Sequence, residues 1–387
     1  MKDNSYDVSI VRCTDYQPQR VRQALLQALE PVGGLDWVRA GMTVALKANL
    51  VAAQKKETAA TTHPTVLAEL TRLLRERGAQ VIVGDSPGGL YNEAALRRVY
   101  EATGMQEVQQ AGATLNDDFS EKDAVFPQAH AARSFTYTAW LEKADAIIDV
   151  CKVKSHGMMG LSAAAKNMFG VIPGTKKPEY HFRFPNMADF SNMIVDLDEY
   201  FAPVLCIADA VIGMEGNGPT QGTPRAMGAL LAARSPHALD LVCAKMLGMQ
   251  PAEVPTLTAA QARGLIPQDI DGLRVAGNVD AFHVEHFEKV AARSDLTFQN
   301  LAGNGALGRL FGAVARQALS SRPQVKKKLC VGCEKCRQIC PAKAIEMHDR
   351  LPCIDRKRCI HCFCCQEFCP KGAMMVHRTW VARLLSR

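Results

Sequence analysis

The chain has no run of about 18 apolar residues free of charge, so no segment qualifies as a transmembrane helix. It has no low-complexity tract. Its 48% hydrophobic and 22% charged residues exclude a chain too polar to bury a core. The opening residues, Met1-Lys2-Asp3-Asn4-Ser5-Tyr6-Asp7, lack the apolar core of a secretory leader, so the expected compartment is the cytoplasm. No nucleic-acid-binding module accompanies the net charge of +7, so no nucleic acid is expected as a partner. The positive charge is local. From Arg322 onward there are 15 Lys/Arg against 5 Asp/Glu, a net of +10; the first 321 residues then hold 31 against 34, a net of −3.

Cysteine is what the chain does have, and it is concentrated. Ten of the 14 lie between Cys330 and Pro370. Eight repeat one pattern, C-x2-C-x2-C-x3-C-P: Cys330, Cys333, Cys336 and Cys340-Pro341, then Cys359, Cys362, Cys365 and Cys369-Pro370. In a reduced compartment such runs read as metal ligation, not disulfides. Thiolates at i, i+3 and i+6 wrap one face of a four-iron cubane, and the cysteine before proline reaches the other cluster. One [4Fe-4S] cluster is therefore expected on Cys330, Cys333, Cys336 and Cys369, and a second on Cys340, Cys359, Cys362 and Cys365. Zinc sites instead favour two C-x2-C pairs closing one tetrahedron. Cys353 and Cys364 are spare thiols. Two such clusters, at about −2 each, offset about 4 of the local positive charges; the remainder suits an acidic, soluble electron donor or acceptor. Residues 328–377 resemble the two-cluster bacterial ferredoxins throughout.

The rest of the chain alternates strand and helix. Strands are expected at Asp7–Cys13, Met42–Asn49, Gln80–Asp85, Ala144–Val150, Val204–Val211 and Ala226–Ala233, with shorter ones between 113 and 138 and near 273–276. Helices are expected at 19–29, 64–77, 92–103, 161–169, 186–200, 236–247 and 306–319. This predicts an α/β domain over 1–319 with a mostly parallel sheet and helices on both faces. Residues 320–328 read as a linker, 329–377 as a small α+β ferredoxin-like domain, and 378–387 as a basic amphipathic tail.

The polar stretch follows the strand ending at Val150: Lys152, Lys154, His156, Lys166 and Asn167 fall within 16 residues. A position beyond a strand end is the carboxyl edge of the sheet, where open α/β sheets bind ligands. Lysines there would bind an anion, and His156 would move a proton near neutral pH. The alternative is solvent-seeking lysines and a loop-capping histidine. Lys47, Asn49 and Asp85 end neighbouring strands and join the candidate ligand site, as do Asp209 and Glu215. Gly213–Gly222 reads as a turn or a phosphate cradle. His63 and His181 read as helix-start or loop residues, and Cys13, Cys151, Cys206 and Cys243 as core thiols.

The ordered set K-x-K-x-H, then Lys166-Asn167, with Lys47-Ala48-Asn49, Asp209 to Gly216, Gly218 to Gly222 and Ala238-Leu239-Asp240, resembles the domain of unknown function 362 family over about residues 40–280. That family often carries a C-terminal ferredoxin module. Ser235-Pro236-His237 departs from it, because an aspartate usually precedes that proline and a valine follows. A shorter stretch, His156 to Gly174, is similar to a segment of the nickel-pincer lactate racemases, which bears on fold and site location and not on nickel. Together these lead to an iron–sulfur oxidoreductase that passes single electrons to a small anionic ligand. The alternatives are a non-catalytic electron carrier or adaptor, and an isomerase-like enzyme with structural clusters.

Overall fold

The computed structural model describes residues 5–290 and 322–377. The expected helix at 306–319 and the tail at 378–387 lie outside the described residues. In chain order the strands of the larger part are β1 (Val8–Arg12), β2 (Thr43–Ala48), β3 (Gln80–Gly84), β4 (Thr114–Leu115), β5 (Glu121–Val125), β6 (Ser134–Thr138), β7 (Ala146–His156), β8 (Gly160–Ser162), β9 (Leu205–Glu215), β10 (Thr223–Ala233) and β11 (Val275–Ala276). The main sheet runs β11-β1-β10-β9-β7-β2-β3-β4, with β8 folded back on β7. It is mixed. β9, β7, β2, β3 and β4 pair in parallel, as do β1 and β11, while β10 is antiparallel to both β1 and β9.

Helices cover both faces. Helices Pro18–Leu29, Pro64–Glu76 and Glu93–Thr103 bury one apolar side with Val44, Leu46, Ile148 and Ile207. Helix Pro236–Met246 packs the opposite side with Val153, Ala208 and Leu231. Local signals set the helix starts. Asn92 Oδ1 accepts from Ala95 N at 3.0 Å, and Ser235 Oγ accepts from Ala238 N at 3.2 Å. Ser235 therefore does the capping work open to an aspartate at that position.

β7 departs most from expectation. It continues for six residues past Val150, so Lys152, Lys154 and His156 lie on a strand and not beyond its end. Alternation around the β-branched Val153 supports the extension, and β8 pairs back onto it through Lys154↔Ser162 and His156↔Gly160. Gly160 has φ +69°, and a Cβ there would meet Glu253 O at 2.6 Å, so the reversal needs glycine. The expected helix 161–169 shrinks to Ala164–Asn167 plus the 3₁₀ turn Met168–Val171. That one-turn helix is held from afar, because Asp240 accepts from Ala164 N at 2.7 Å and from Ala165 N at 3.2 Å.

The cysteine-rich part is two half-modules. β12 (Arg322–Val325) pairs antiparallel with β15 (Met374–His377), and β13 (Ile345–His348) with β14 (Leu351–Ile354). The expected linker is thus partly a strand of the module. Pairing with β15 draws Arg322–Val325 into it, where Pro323 is buried. The duplication is visible in the backbone. Glu334 (φ +60°) and Phe363 (φ +58°) each precede a short helix, Lys335–Ile339 and Cys364–Glu367. Ala344 N donates to Cys340 Sγ at 3.3 Å, and Ala373 N donates to Cys369 Sγ at 3.2 Å.

Candidate functional site

The eight patterned cysteines surround two cavities. Cys330, Cys333, Cys336 and Cys369 line one. Cys340, Cys359, Cys362 and Cys365 line another, with Cys364 beside them. The sets are crossed between half-modules, as the spacing requires. No group of three or more His, Cys, Asp or Glu among the described residues is arranged to hold one metal ion. Of the spare thiols, Cys353 is exposed and Cys364 buried.

The candidate ligand residues divide into three environments. The first is a locked pair on β7 and β9. Lys152 stands opposite Asp209 and donates to its Oδ2 at 2.9 Å and to Tyr16 Oη at 2.8 Å. Tyr16 Oη donates to Asp209 Oδ1 at 2.8 Å, and His63 N donates to Oδ2 at 3.0 Å. Tyr16 stacks on His63 with ring centroids 3.6 Å apart. Every strong group here is satisfied, so Lys152 and Asp209 hold structure and do not open onto a ligand space. Glu215 is likewise elsewhere, accepting from Glu288 N at 3.2 Å and lying 3.6 Å from Arg225.

The second environment is a buried hinge between strand ends. Lys47 bridges Asp85 at 2.8 Å and donates to Ala48 O and Asn167 O at 2.9 and 3.0 Å. Asp85 also accepts from Leu50 N at 2.6 Å and Ser86 N at 2.8 Å. Asn167 Nδ2 donates to Asp149 Oδ1 at 2.5 Å. Burial pushes Asp149 up to about 7, with the nearby Lys47 charge and the Asn167 hydrogen bond opposing. Any Cβ on Gly170 would collide with Asp85 and Lys47, so the turn after Asn167 presses onto this pair.

The third environment is open. Lys154, His156, Lys166 and Asn49 line a cavity of about 50 Å³, together with Asp85 and Asn167 at the hinge. A break in the β7–β9 register between Lys152 and Lys154 separates them from the locked pair. Lys154 donates to Asn49 Oδ1 at 2.9 Å and Ala60 O at 2.6 Å, both neutral. Burial pulls its ammonium down to about 7. Lys166 has no hydrogen bond or ion pair among the described residues and lies 4.3 Å from the Phe169 ring centroid. Burial lowers its pKa as well. His156 Nδ1 accepts from Met158 N and Met159 N, both at 3.1 Å. Its proton therefore sits on Nε2. Burial, then Lys166 and Lys154, hold the ring neutral, so the expectation that it titrates near neutral pH is not met.

Sequence reading missed Ser86, Lys177, Pro219 and Glu367, which line the same cavity. Lys177 donates to Ser86 O, and burial lowers it to about 8. Glu367 comes from the cysteine module, two residues after Cys365 and two before Cys369; its spacing among the patterned cysteines was the only available signal. The glycine loop carries this docking instead of forming a cradle for phosphate. Gln366 Nε2 donates to Asn217 O at 3.0 Å and Gly218 O at 3.3 Å. Thr220 Oγ1 donates to Glu367 O at 3.2 Å, and Gln221 Nε2 to Cys369 O at 3.4 Å. Phe368 fills the space a side chain on Gly88 would need.

Residues 44–245 match the family described as Domain of unknown function (DUF362). They take in the locked pair and, apart from Glu367, the whole lysine pocket. The chain belongs to this family. A curated relative, the thylakoid-associated protein of Synechocystis sp., is 31% identical over 274 residues, covering 67% of this chain and 80% of that protein. Among solved structures, the lactate racemase apoprotein from Thermoanaerobacterium thermosaccharolyticum is similar at a TM-score of 0.40 and 12% identity. That match covers 65% of this chain and spans 59% of the racemase chain, and neither site nor reaction carries across at that level. His63, expected at a helix start, caps helix Pro64–Glu76 of this DUF362 chain by accepting from Thr65 N at 3.3 Å. His181 is buried against Phe190, and the four cysteines outside the module are core thiols.

Proposed function

We propose that this DUF362 chain is an iron–sulfur oxidoreductase whose cysteine module passes single electrons to an anionic substrate or cofactor in the lysine pocket. The observation that carries the reading is the crossed partition of eight thiols around two cavities. Cys330, Cys333, Cys336 and Cys369 hold one [4Fe-4S] cluster; Cys340, Cys359, Cys362 and Cys365 hold the other. The clusters, when bound, supply one-electron steps. The remaining chemistry belongs to the chain. Lys154, Lys166 and Lys177 bind the ligand's negative charge in a cavity of about 50 Å³, room for a small anionic group. His156 donates from Nε2 and orients the ligand without changing its own charge. Lys154, with a pKa of about 7, is the group able to give up or take a proton at neutral pH. The module's seat on Gly88 and the Asn217–Gln221 loop keeps water from that side of the pocket. A soluble acidic electron carrier is the matching partner for the basic module, and the cytoplasm is the compartment proposed.

Anaerobic purification with iron and sulfide analysis tests the assignment. About eight iron atoms per chain are expected, four per cluster. Cys333→Ser and Cys362→Ser should each disturb one cluster's electron paramagnetic signal and leave the other's. Stoichiometric zinc without iron would sink the reading. If folded Cys333→Ser/Cys362→Ser protein kept full turnover, the clusters would be structural and the isomerase-like alternative would gain. If Lys166→Ala passed electrons between carriers at the wild-type rate, the adaptor alternative would gain.

A further inference from the structure

The pocket has two carboxylates in its wall, and they differ. Asp85 is saturated by Lys47, Leu50 N and Ser86 N. Glu367 has no hydrogen bond or ion pair to its carboxylate among the described residues. Its backbone is fixed, with Thr220 holding its carbonyl and Gln366 beside it bonded to Asn217 and Gly218. Only the side chain is free to move, and it lines the same cavity as the unpartnered Lys166. Among the described residues none of Lys154, Lys166 and Lys177 makes an ion pair, so a carboxylate without a partner shares the cavity with three ammonium groups that have no counter-charge.

We propose that Glu367 is a tethered counter-anion of the lysine pocket, competing for Lys154 and Lys166 with the acidic group of the ligand. The proposal rests on the anion-pocket reading above. With no ligand bound, Glu367 supplies opposite charge that partly offsets the effect of burial on Lys154 and Lys166. A ligand bearing a carboxylate or phosphate takes over that role and repels the Glu367 side chain toward solvent. Simple anions thus bind against a standing like charge, and ligands with strong further contacts, such as to His156 Nε2, are favoured. Glu367 also stands between Cys365 and Cys369, which line separate cavities, so pocket occupancy changes the charge next to both thiol sets.

The test is calorimetric titration of the anaerobically purified full chain with inorganic phosphate, and separately with malonate. At about pH 5.5, below the Lys154 pKa of about 7, Glu367→Gln and Glu367→Ala should bind each anion about tenfold more tightly than wild type, about 1.4 kcal/mol. Glu367→Asp, which keeps the charge, should stay close to wild type. The upper pH limit of binding should move down in Glu367→Gln, because Lys154 loses its nearest supporting carboxylate. A role in docking alone would not produce that pH shift, nor the split between Asp and Gln. Equal or weaker binding by Glu367→Gln overturns the tether. If Lys166→Ala still weakens phosphate binding in that case, the anion pocket survives. If Lys166→Ala changes nothing in either background, or no chain binds either anion, the pocket reading falls and the tether with it.

Discussion

Lys152 and Lys154 are two residues apart on one strand, are equally buried, and do opposite things. Lys152 faces Asp209 across a regular ladder and is closed by Tyr16. Lys154 lies past the register break and meets only neutral oxygens. A buried ammonium with a carboxylate partner is structural; one solvated by an amide and a carbonyl keeps charge available for a ligand. Lys47 belongs with the first kind and Lys166 with the second.

The largest effect that would break this comparison is on stability. Lys152→Met should destabilise the fold by about 3–5 kcal/mol, since Asp209 is left buried and unpaired; urea unfolding measures it. Lys166→Ala should change stability by less than about 1 kcal/mol, because no pair is lost, while weakening anion binding at least about tenfold. Comparable stability losses in the two variants would erase the distinction.

Titration sharpens the comparison further. Anion binding should fall as pH rises through 7 to 8, where Lys154 and then Lys177 lose protons. Lys154's folded pKa is depressed below its unfolded value, so the unfolded chain binds more protons above pH 7. Its contribution to stability therefore increases from about pH 7 up to about 10.4, and Lys154→Met should flatten that rise. The buried carboxyls behave oppositely. Asp149 at about 7 and Asp240 at about 8 are raised, so the native state binds more protons and stability declines as pH rises from about 4 to 8. Asp149→Asn should flatten that decline, by up to about 1.4 kcal/mol per pH unit, seen in unfolding midpoints measured across pH.

Much of the fold was legible because its signals are short-range. β2, β3 and the helices near 18–29, 64–76 and 236–246 follow from apolar period, proline at the first turn and polar caps. The strand from Val150 to His156 was not, because alternate lysines read as a polar stretch beyond the strand end until their distant partners are known. The one-turn helix at 164–167 depends on Asp240, more than 70 residues away. The loop around Asn217–Gln221 read as a turn or a phosphate cradle, its glycines suiting close approach; what approaches is the backbone of the cysteine module.

The partition of the eight cysteines was determined by the sequence alone. Spacings of three residues are short covalent constraints that hold each triad at one cavity, and the repeated C-P position marks the cysteine that crosses to the other. Which buried lysine is spent and which is free was decided only by tertiary structure. Charge availability depends on the register of β7 against β9 and on where Glu367 arrives, and both arise from contacts between residues 57 to more than 200 positions apart.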